Sequence, residues 1–361
     1  MISSYSIIIN NKCNLDCSYC MIEHKDESEM ETKVINKAID YIFSGEHNSP
    51  VKISFFGVEP LLSYKKIKHW IKYTEKKYPD ANVKYGITTN LTVLNSKWID
   101  LILDNNIYIL ASYDGFDVHD KFRKLKHNGG TRDIVEYNMR RLEENGIKYM
   151  VAMSVPHNAI KGLADRVIKL FTDFKPEAVA LNKVVDHYIT YTHKEFKTLE
   201  NELNILADRL IEEFKNNNYN WKVTNFVKTL KAFHKYPRRS ERNNWTCGAA
   251  KKSITIGIDG TIYPCHRFAY IPDSEIGTIY IGTNNDRIRI IRSFDFGKCQ
   301  NCYVYPCAGC WVINYLTNYN LFKIPEAYCK FEKARFKSSL YLYTRLAEEG
   351  LLEKVMNKWV I

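Results

Sequence analysis

Between Ser6 and Asn182 short apolar runs alternate with longer stretches in which apolar residues recur every three or four positions. The short runs are Ser6–Asn10, Val51–Phe56, Val83–Thr88, Tyr108–Ser112, Lys148–Val155 and Ala178–Asn182. Polar residues, Gly or Pro bound each of them, and they predict strands. The longer stretches predict helices at Thr32–Phe43, Ser63–Lys77, Ser96–Asn105, Arg132–Glu144 and Ile160–Phe174. Strands that alternate with helices pair in parallel, because the helix supplies the long crossover that a parallel neighbour needs. The expected fold class is α/β, with a parallel sheet curled into a partial, TIM-like (βα)6 barrel. Thr192 to about Lys235 predicts two further helices with Leu, Ile and Phe at helical spacing. From Trp245 the texture changes to cysteines, turns and a β-hairpin pattern. Little helix is expected before Ile324, and a final helix is predicted over about Lys333–Trp359. The expected division is a barrel core at 1–190, a helical bridge at 191–244, a Cys-rich domain at 245–335 and a C-terminal helix at 336–361.

The chain has 361 residues, enough for a large core. No run of ~18 apolar residues predicts a membrane span, and the first residues lack the charged and apolar regions of a secretory signal. A reducing cytoplasm is therefore the expected location, and clustered cysteines there bind metal more readily than they form disulfides. The formal net charge of +11 suits an acidic peptide or nucleic acid, and suits a lysine-rich solvated surface equally well. The densest basic stretch, Lys231–Arg242, falls at a domain junction and reads also as a solvated linker.

All ten cysteines fall into spaced groups. Cys13, Cys17 and Cys20 form Cys-x3-Cys-x2-Cys after the first strand. Cys247, Cys265, Cys299, Cys302, Cys307, Cys310 and Cys329 crowd the last third. Three thiolates can hold three corners of an iron–sulfur cube and leave the fourth iron open. With His24 they also fit a Cys3His zinc site. Gly57-Val58-Glu59-Pro60 follows the second strand, Thr89-Asn90 closes the third, and Ser112-Tyr113-Asp114-Gly115 closes the fourth. Singly, Glu59 reads as a helix cap and Asp114-Gly115 as a turn. Together they lie on the C-terminal strand edge, where barrels build active sites.

Cys-x3-Cys-x2-Cys with Tyr19 before its last cysteine resembles the signature of the radical S-adenosylmethionine (SAM) superfamily. Gly57-Val58-Glu59-Pro60 resembles that family's Gly-Gly-Glu-Pro, in which backbone and acid hold the methionine amino group of SAM; Val58 departs from the second glycine. The resemblance implies Ser112 on the SAM ribose, Arg123 near the methionine carboxylate, and Tyr19 and Leu181 against the adenine. As plain residues, Ser112 and Leu181 read also as strand ends and Arg123 as a surface cation. The implied cofactors are SAM and a [4Fe-4S] cluster. The implied chemistry is reductive cleavage of the sulfonium to a 5′-deoxyadenosyl radical that abstracts hydrogen from substrate.

The seven late cysteines resemble a SPASM domain, a C-terminal module carrying two auxiliary [4Fe-4S] clusters. In Cys299-x2-Cys302-x4-Cys307-x2-Cys310 the last two gaps are each one residue shorter than the common pattern. The resemblance implies one cluster on Cys299, Cys302, Cys307 and Cys329, and another on Cys247, Cys265 and Cys310 without a fourth cysteine. Read alone, Cys299 to Cys310 also fits a zinc ribbon. His266 stands beside Cys265, where sulfatase-maturing relatives commonly carry an aspartate proposed as the base. An imidazole there is a candidate catalytic base or iron ligand, and reads also as a packed or supporting histidine.

Radical SAM enzymes with SPASM domains resemble one another in acting on peptides and proteins. The expected activity is that of an oxidoreductase maturing a ribosomally made peptide, with a thioether or other crosslink as product. Anaerobic sulfatase maturation, oxidising Cys or Ser to formylglycine, is the alternative. The expected electron donor is a flavodoxin or ferredoxin. Only twelve residues precede Cys13, which predicts no fused leader-binding domain and makes a separate leader-binding protein a candidate partner. A basic, zinc-containing nucleic-acid-binding protein is the alternative of another class. It needs aromatics interleaved with Lys and Arg on an exposed face, whereas much of the tyrosine falls at positions suited to packing. Neither nucleic acid nor a membrane is the expected partner.

Overall fold

The computed structural model describes residues 2–22, 25–45, 50–184, 192–235, 247–293, 299, 302–307 and 309–359. His24 and most of the basic stretch Lys231–Arg242 lie outside the described residues. Contacts divide the chain into two units. The first takes in Met1–Ser112, Arg123–Lys148 and Gly248–Phe294; the second takes in Tyr113–Phe122, Tyr149–Cys247 and Asp295–Ile361.

The first unit is built on strands β1 (Ser4–Ile8), β2 (Val51–Phe56), β3 (Val83–Thr89) and β4 (Tyr108–Ser112). They pair in parallel in that order. On the other side of β1 lies β7 (Ser253–Ile256), also parallel, followed by the antiparallel strands β8 (Thr261–Tyr263), β9 (Gly277–Thr278) and β10 (Gly282–Thr283). Helices α1 (Thr32–Phe43), α2 (Tyr64–Lys77), α3 (Ser96–Asp104) and α5 (Arg132–Glu144) belong to the same unit. Each buries one apolar stripe, as period 3.6 requires; in α2 the stripe is Ile67, Trp70 and Ile71. On β2, Val51, Ile53 and Phe55 are buried while Lys52 is exposed. Phe55 meets the edge of Trp70 at 5.8 Å and stacks on Tyr85 of β3 at 5.9 Å. Such aromatic pairs lock helix to sheet beyond the area they bury.

The second unit holds the short helix α4 (His119–Phe122) and the parallel pair β5 (Tyr149–Val155) and β6 (Ala178–Lys183), with α6 (Leu163–Asp173) between the strands in sequence. Helices α7 (His193–Lys215) and α8 (Thr224–Lys235) follow. Thr192 and Glu195 close a capping box that starts α7. Helix α11 (Glu326–Glu348) lies along α7, and α12 (Leu352–Trp359) sets Trp359 edge-on to Phe214 at 5.1 Å. No described helix is long and apolar enough to cross a membrane.

The alternating βα order stands as expected, with differences at the ends of elements. β1 starts at Ser4 rather than Ser6, because the amides of Ser3 and Ser4 donate to the Lys252 carbonyl at 3.1 and 3.2 Å. Before α2 the backbone tightens into a 3₁₀ turn, Pro60–Ser63, whose cap is Glu59. The Cys-rich region contains more helix than expected: α9 (Asn285–Ser293) and α10 (Trp311–Asn318). In α10 the apolar run Trp311-Val312-Ile313 is buried directly after Cys310, so cysteine spacing hides a helical start. The last helix begins earlier, at Glu326, and breaks after Glu348. Gly350 takes φ +65° there, and the Leu351 amide returns to the Leu346 carbonyl at 2.8 Å. A glycine in this left-handed conformation is a common helix stop.

Gly57 ends β2 at φ +139°, and a Cβ added there would meet the Asn10 carbonyl oxygen at 2.7 Å and its Oδ1 at 2.9 Å. Gly57→Ala is therefore expected to lower stability by roughly 1–3 kcal/mol, read as a lower thermal midpoint. Gly45→Ala, with nothing within 4 Å of its added Cβ, serves as the control. Equal midpoints for the two variants would remove the steric argument.

Candidate active site

The loop after β1 carries the first three cysteines. Cys13 is buried at 9% exposure, and Cys17 and Cys20 are half-buried. The Leu15 amide donates to Cys13 Sγ at 3.3 Å, and the Cys20 amide to the Cys17 carbonyl at 3.0 Å. Leu15, fully buried, bridges to Leu125, and Asp16 donates its amide to the Lys124 carbonyl at 2.8 Å. These bonds hold the loop against the segment that contains Arg123. The thiols stand near enough to feel one another. Burial raises the pKa of Cys13, and Glu59 and Cys20 add to the rise. Burial likewise pushes Cys17 up to about 11, against the pull of the Arg123 guanidinium.

Glu59 has no exposed surface. Its Oε1 accepts the Leu61 amide at 2.9 Å and the Thr89 hydroxyl at 2.6 Å, and its Oε2 accepts the Asn90 amide at 2.7 Å. Burial pushes its pKa up to about 7, although those donors and Arg123 pull it down. A carboxylate with this balance favours the arrival of a positive group. Asn90 extends the frame to the cysteine loop: its Nδ2 donates to Asn14 Oδ1 at 3.0 Å and lies 4.0 Å from Cys13 Sγ. Asn10, also fully buried, donates Nδ2 to the Glu59 carbonyl at 2.9 Å and to Ser63 Oγ at 2.6 Å. Its Oδ1 has no hydrogen-bond partner among the described residues. The sequence reading does not single out Asn10; a polar residue directly after an apolar run is its only signal.

Two of the expected SAM contacts meet each other. The Arg123 guanidinium lies 5.4 Å from the centroid of the Tyr19 ring, within range of cation–π attraction. Ser112 is half-buried at the end of β4. Asp114 instead anchors structure within the second unit. Its carboxylate accepts the Ser154 amide at 2.9 Å, and its own amide donates to His119 Nδ1 at 3.2 Å. Leu181, also in the second unit, is buried in β6 and bonded through its backbone to Asn225.

The turn after β8 brings His266 to β2. Its ring lies 4.2 Å from that of Phe56, the residue before Gly57. Burial and the neighbouring Arg267 push the imidazole down to about 3. Tyr270, a few residues on, has a buried hydroxyl without a partner among the described residues, and burial and Cys20 raise its pKa. Tyr270 is a second site neighbour that the sequence reading does not name.

The second unit gathers late cysteines around the start of α11. Cys329 lies in its first turn and feels Cys302, and Tyr328 feels both Cys307 and Cys310. The Cys302 amide donates to the Cys299 carbonyl at 3.1 Å, and Cys310 precedes α10. Burial pushes Cys307 up to about 11. Cys247 belongs to this unit and Cys265 to the first. No disulfide joins any of the ten cysteines. Among the described residues no three His, Cys, Asp or Glu side chains converge on a single-ion site. The first unit fits a thiolate-bound cluster with a bound cation. It offers grouped thiols, a buried acid short of positive charge, and two buried polar atoms, Asn10 Oδ1 and Tyr270 Oη, without partners among the described residues.

Comparison with known proteins follows the same lines. Residues 7–165 match the Radical SAM superfamily. An uncharacterized protein of Methanocaldococcus jannaschii, MJ0907, is 30% identical over 168 residues, covering 41% of this chain and 58% of that protein. The chain thus spans less than two thirds of that relative. A cysteine-type anaerobic sulfatase-maturating enzyme of Clostridium novyi is 25% identical over 330 residues, covering 83% of this chain and 85% of it. Native anSMEcpe with bound AdoMet and Cp18Cys peptide superposes with a TM-score of 0.78 at 20% identity, over 96% of this chain and 99% of that one. Streptococcus suis SuiB bound to its precursor peptide SuiA gives 0.62 at 17% identity, over 91% and 76%. At these identities the structural likeness is one of fold, and it extends from the βα repeats through the Cys-rich region. The cysteine loop, the strand-end frame and the match over 7–165 lead to one conclusion: residues 7–165 are similar to the radical SAM superfamily.

Proposed function

We propose that the protein is a cytoplasmic radical SAM maturase that oxidises a ribosomally made peptide and forms a thioether or other crosslink. The observation that carries this reading is the joining of the Cys13–Cys20 loop to the buried Glu59 through Asn90. In this reading Cys13, Cys17 and Cys20 would hold a [4Fe-4S] cluster that leaves room for SAM. Gly57 and Glu59 receive its amino group, Arg123 its carboxylate, Ser112 its ribose, and Tyr19 and Leu181 its adenine. When bound, the cluster and SAM supply an electron and a 5′-deoxyadenosyl radical that removes hydrogen from the peptide. The chain's own part is orientation. Asn90 and Leu15 hold Cys13, Tyr19 faces the Arg123 cation, and Gly57 lets the end of β2 pass close to Asn10. Residues 245–335 form a SPASM domain in this reading. Cys299, Cys302, Cys307 and Cys329 hold one auxiliary cluster, and Cys247, Cys265 and Cys310 the other. His266, against Phe56 and next to Cys265, acts on the substrate side as proton acceptor or metal ligand. A flavodoxin or ferredoxin donates electrons, and a separate leader-binding protein is a candidate partner, unless the enzyme needs none. Peptides bound to the fold relatives anSMEcpe and SuiB support a peptide substrate.

A second reading, oxidation of a sulfatase Cys or Ser to formylglycine, is favoured by the match to the Clostridium novyi enzyme along most of both chains. Against it stands His266 in place of the aspartate usual there.

Cys13→Ala, Cys17→Ala and Cys20→Ala are each expected to abolish reductive SAM cleavage, measured as 5′-deoxyadenosine; an undiminished yield from the triple variant would reject the assignment. His266→Ala is expected to slow peptide turnover by about 10²-fold or more while uncoupled SAM cleavage persists. Unchanged turnover would leave His266 as packing against Phe56. Mass spectrometry of Cys-containing peptides after anaerobic reaction should show loss of two hydrogens with sulfur retained. Exchange of sulfur for oxygen at that cysteine would decide for formylglycine and against the crosslink.

A further inference from the structure

The second unit buries a group of charges to which the proposed chemistry gives no task. Lys183 ends β6, and its ammonium lies 3.5 Å from the centroid of the Tyr328 ring and 5.3 Å from that of Phe331. The same ammonium pairs with Glu332, whose other oxygen accepts Arg335 Nε at 2.8 Å. The three side chains keep only 12%, 11% and 6% of their surface. Arg335 donates further to Thr229 Oγ1 at 2.6 Å, to the Asn225 carbonyl at 3.4 Å and to the Pro306 carbonyl at 2.6 Å. Two buried cations therefore share one carboxylate. Lys228 adds to the imbalance: its pKa is lowered by burial and by the neighbouring Arg335. A buried excess of positive charge is unfavourable unless a negative group faces it.

The candidates for that group are the late cysteines. Pro306 directly precedes Cys307, and Tyr328 directly precedes Cys329. Arg335 is thus bonded to the carbonyl of the residue before Cys307, and Lys183 lies on the ring of the residue before Cys329. Glu332 follows Cys329 by three positions on α11, so the two stand on neighbouring turns of one face. An iron–sulfur group on thiolates is anionic and gains one more negative charge on reduction. A fixed cation within Coulomb reach stabilises the reduced form more than the oxidised form.

We propose that Lys183, Glu332 and Arg335 form a fixed, net-positive counter-charge that makes the iron–sulfur group on Cys307 and Cys329 easier to reduce. The inference rests on the reading of the late cysteines as cluster ligands and adds a function for residues outside the ligand set. A brace for α11 alone would account for the bonds of Arg335, but it makes no claim about potential. The two roles separate by sign. Removing a cation should make reduction harder, and removing the anion should make it easier.

The test uses the full chain carrying Cys13→Ala, Cys17→Ala and Cys20→Ala, so that only the late cysteines hold iron. Iron and sulfide are counted, and midpoint potentials are read by EPR during titration with dithionite. Lys183→Met should make one cluster about tenfold harder to reduce, a shift of about 59 mV to lower potential for one electron. Glu332→Gln should shift the same cluster by a similar amount in the opposite direction. Shifts of one sign for both variants, or unmoved potentials with iron fully bound, overturn the proposal. Should one variant lose its iron, the sign of the other decides. A parent protein without iron at the late cysteines overturns the cluster reading itself, and that outcome is seen before any potential is measured.

Discussion

A carboxylate cut off from water must be held by donors, and the way Glu59 is held organises the edge of the first unit. Leaving such a group unpaired costs about 1–3 kcal/mol or more, so the donors are a structural necessity. They come from the turn after β2 and from the end of β3. The Thr89 hydroxyl gives its proton to Glu59 and accepts the Leu91 amide at 2.8 Å. That second bond helps seat Leu91 at φ +59°, a conformation few side chains adopt. Its carbonyl is in turn held by Asn138 of α5 at 2.8 Å. Asn90, fixed between them, reaches Cys13 and Asn14. The cysteine loop thus takes its position from an acid on another strand, and a disturbance at Glu59 would travel to Cys13 through two bonds.

This chain of dependence explains what was legible in the sequence. Strand and helix positions follow from the period of apolar residues, and Val51–Phe56, Tyr108–Ser112, Thr32–Phe43 and Arg132–Glu144 fall where the pattern puts them. The cysteine loop, Glu59 and Thr89-Asn90 were visible because their spacing or place at a strand end is local. Asn10 and Tyr270 were not visible. Asn10 matters through Glu59 and Ser63, some fifty positions away, and Tyr270 through Cys20. No local pattern encodes partners at such separations. Asp114 shows the converse. Its strand-end position suggested a site residue, yet its bonds to Ser154 and His119 fix the backbone of the second unit.

The helices α10 and α12 were hidden for a different reason. In α10 the apolar run begins one residue after Cys310, so cysteine spacing dominates the reading of a segment that is buried helix. In the last helix, continuous helix-forming composition masks the stop at Gly350, which depends on backbone conformation more than on hydropathy. Boundaries set by a single residue's φ are poorly expressed in a periodic pattern.

The two units carry opposite electrostatic deficits, and the signs are informative together. In the first, burial lifts Glu59 to about 7, so the frame beside Cys13 favours a cation. In the second, burial alone would raise Glu332, yet Lys183 and Arg335 outweigh it and hold the carboxyl at about 2. That environment is rich in positive charge and favours an anion. SAM brings an ammonium and a sulfonium; a thiolate-ligated cluster brings net negative charge. Each deficit has the sign that suits the group proposed for its own unit. Zinc held by four thiolates would also be anionic, but it has no redox change for the buried cations to bias. A net-positive patch that responds to electron arrival has work to do only where the charge of the neighbouring group can change.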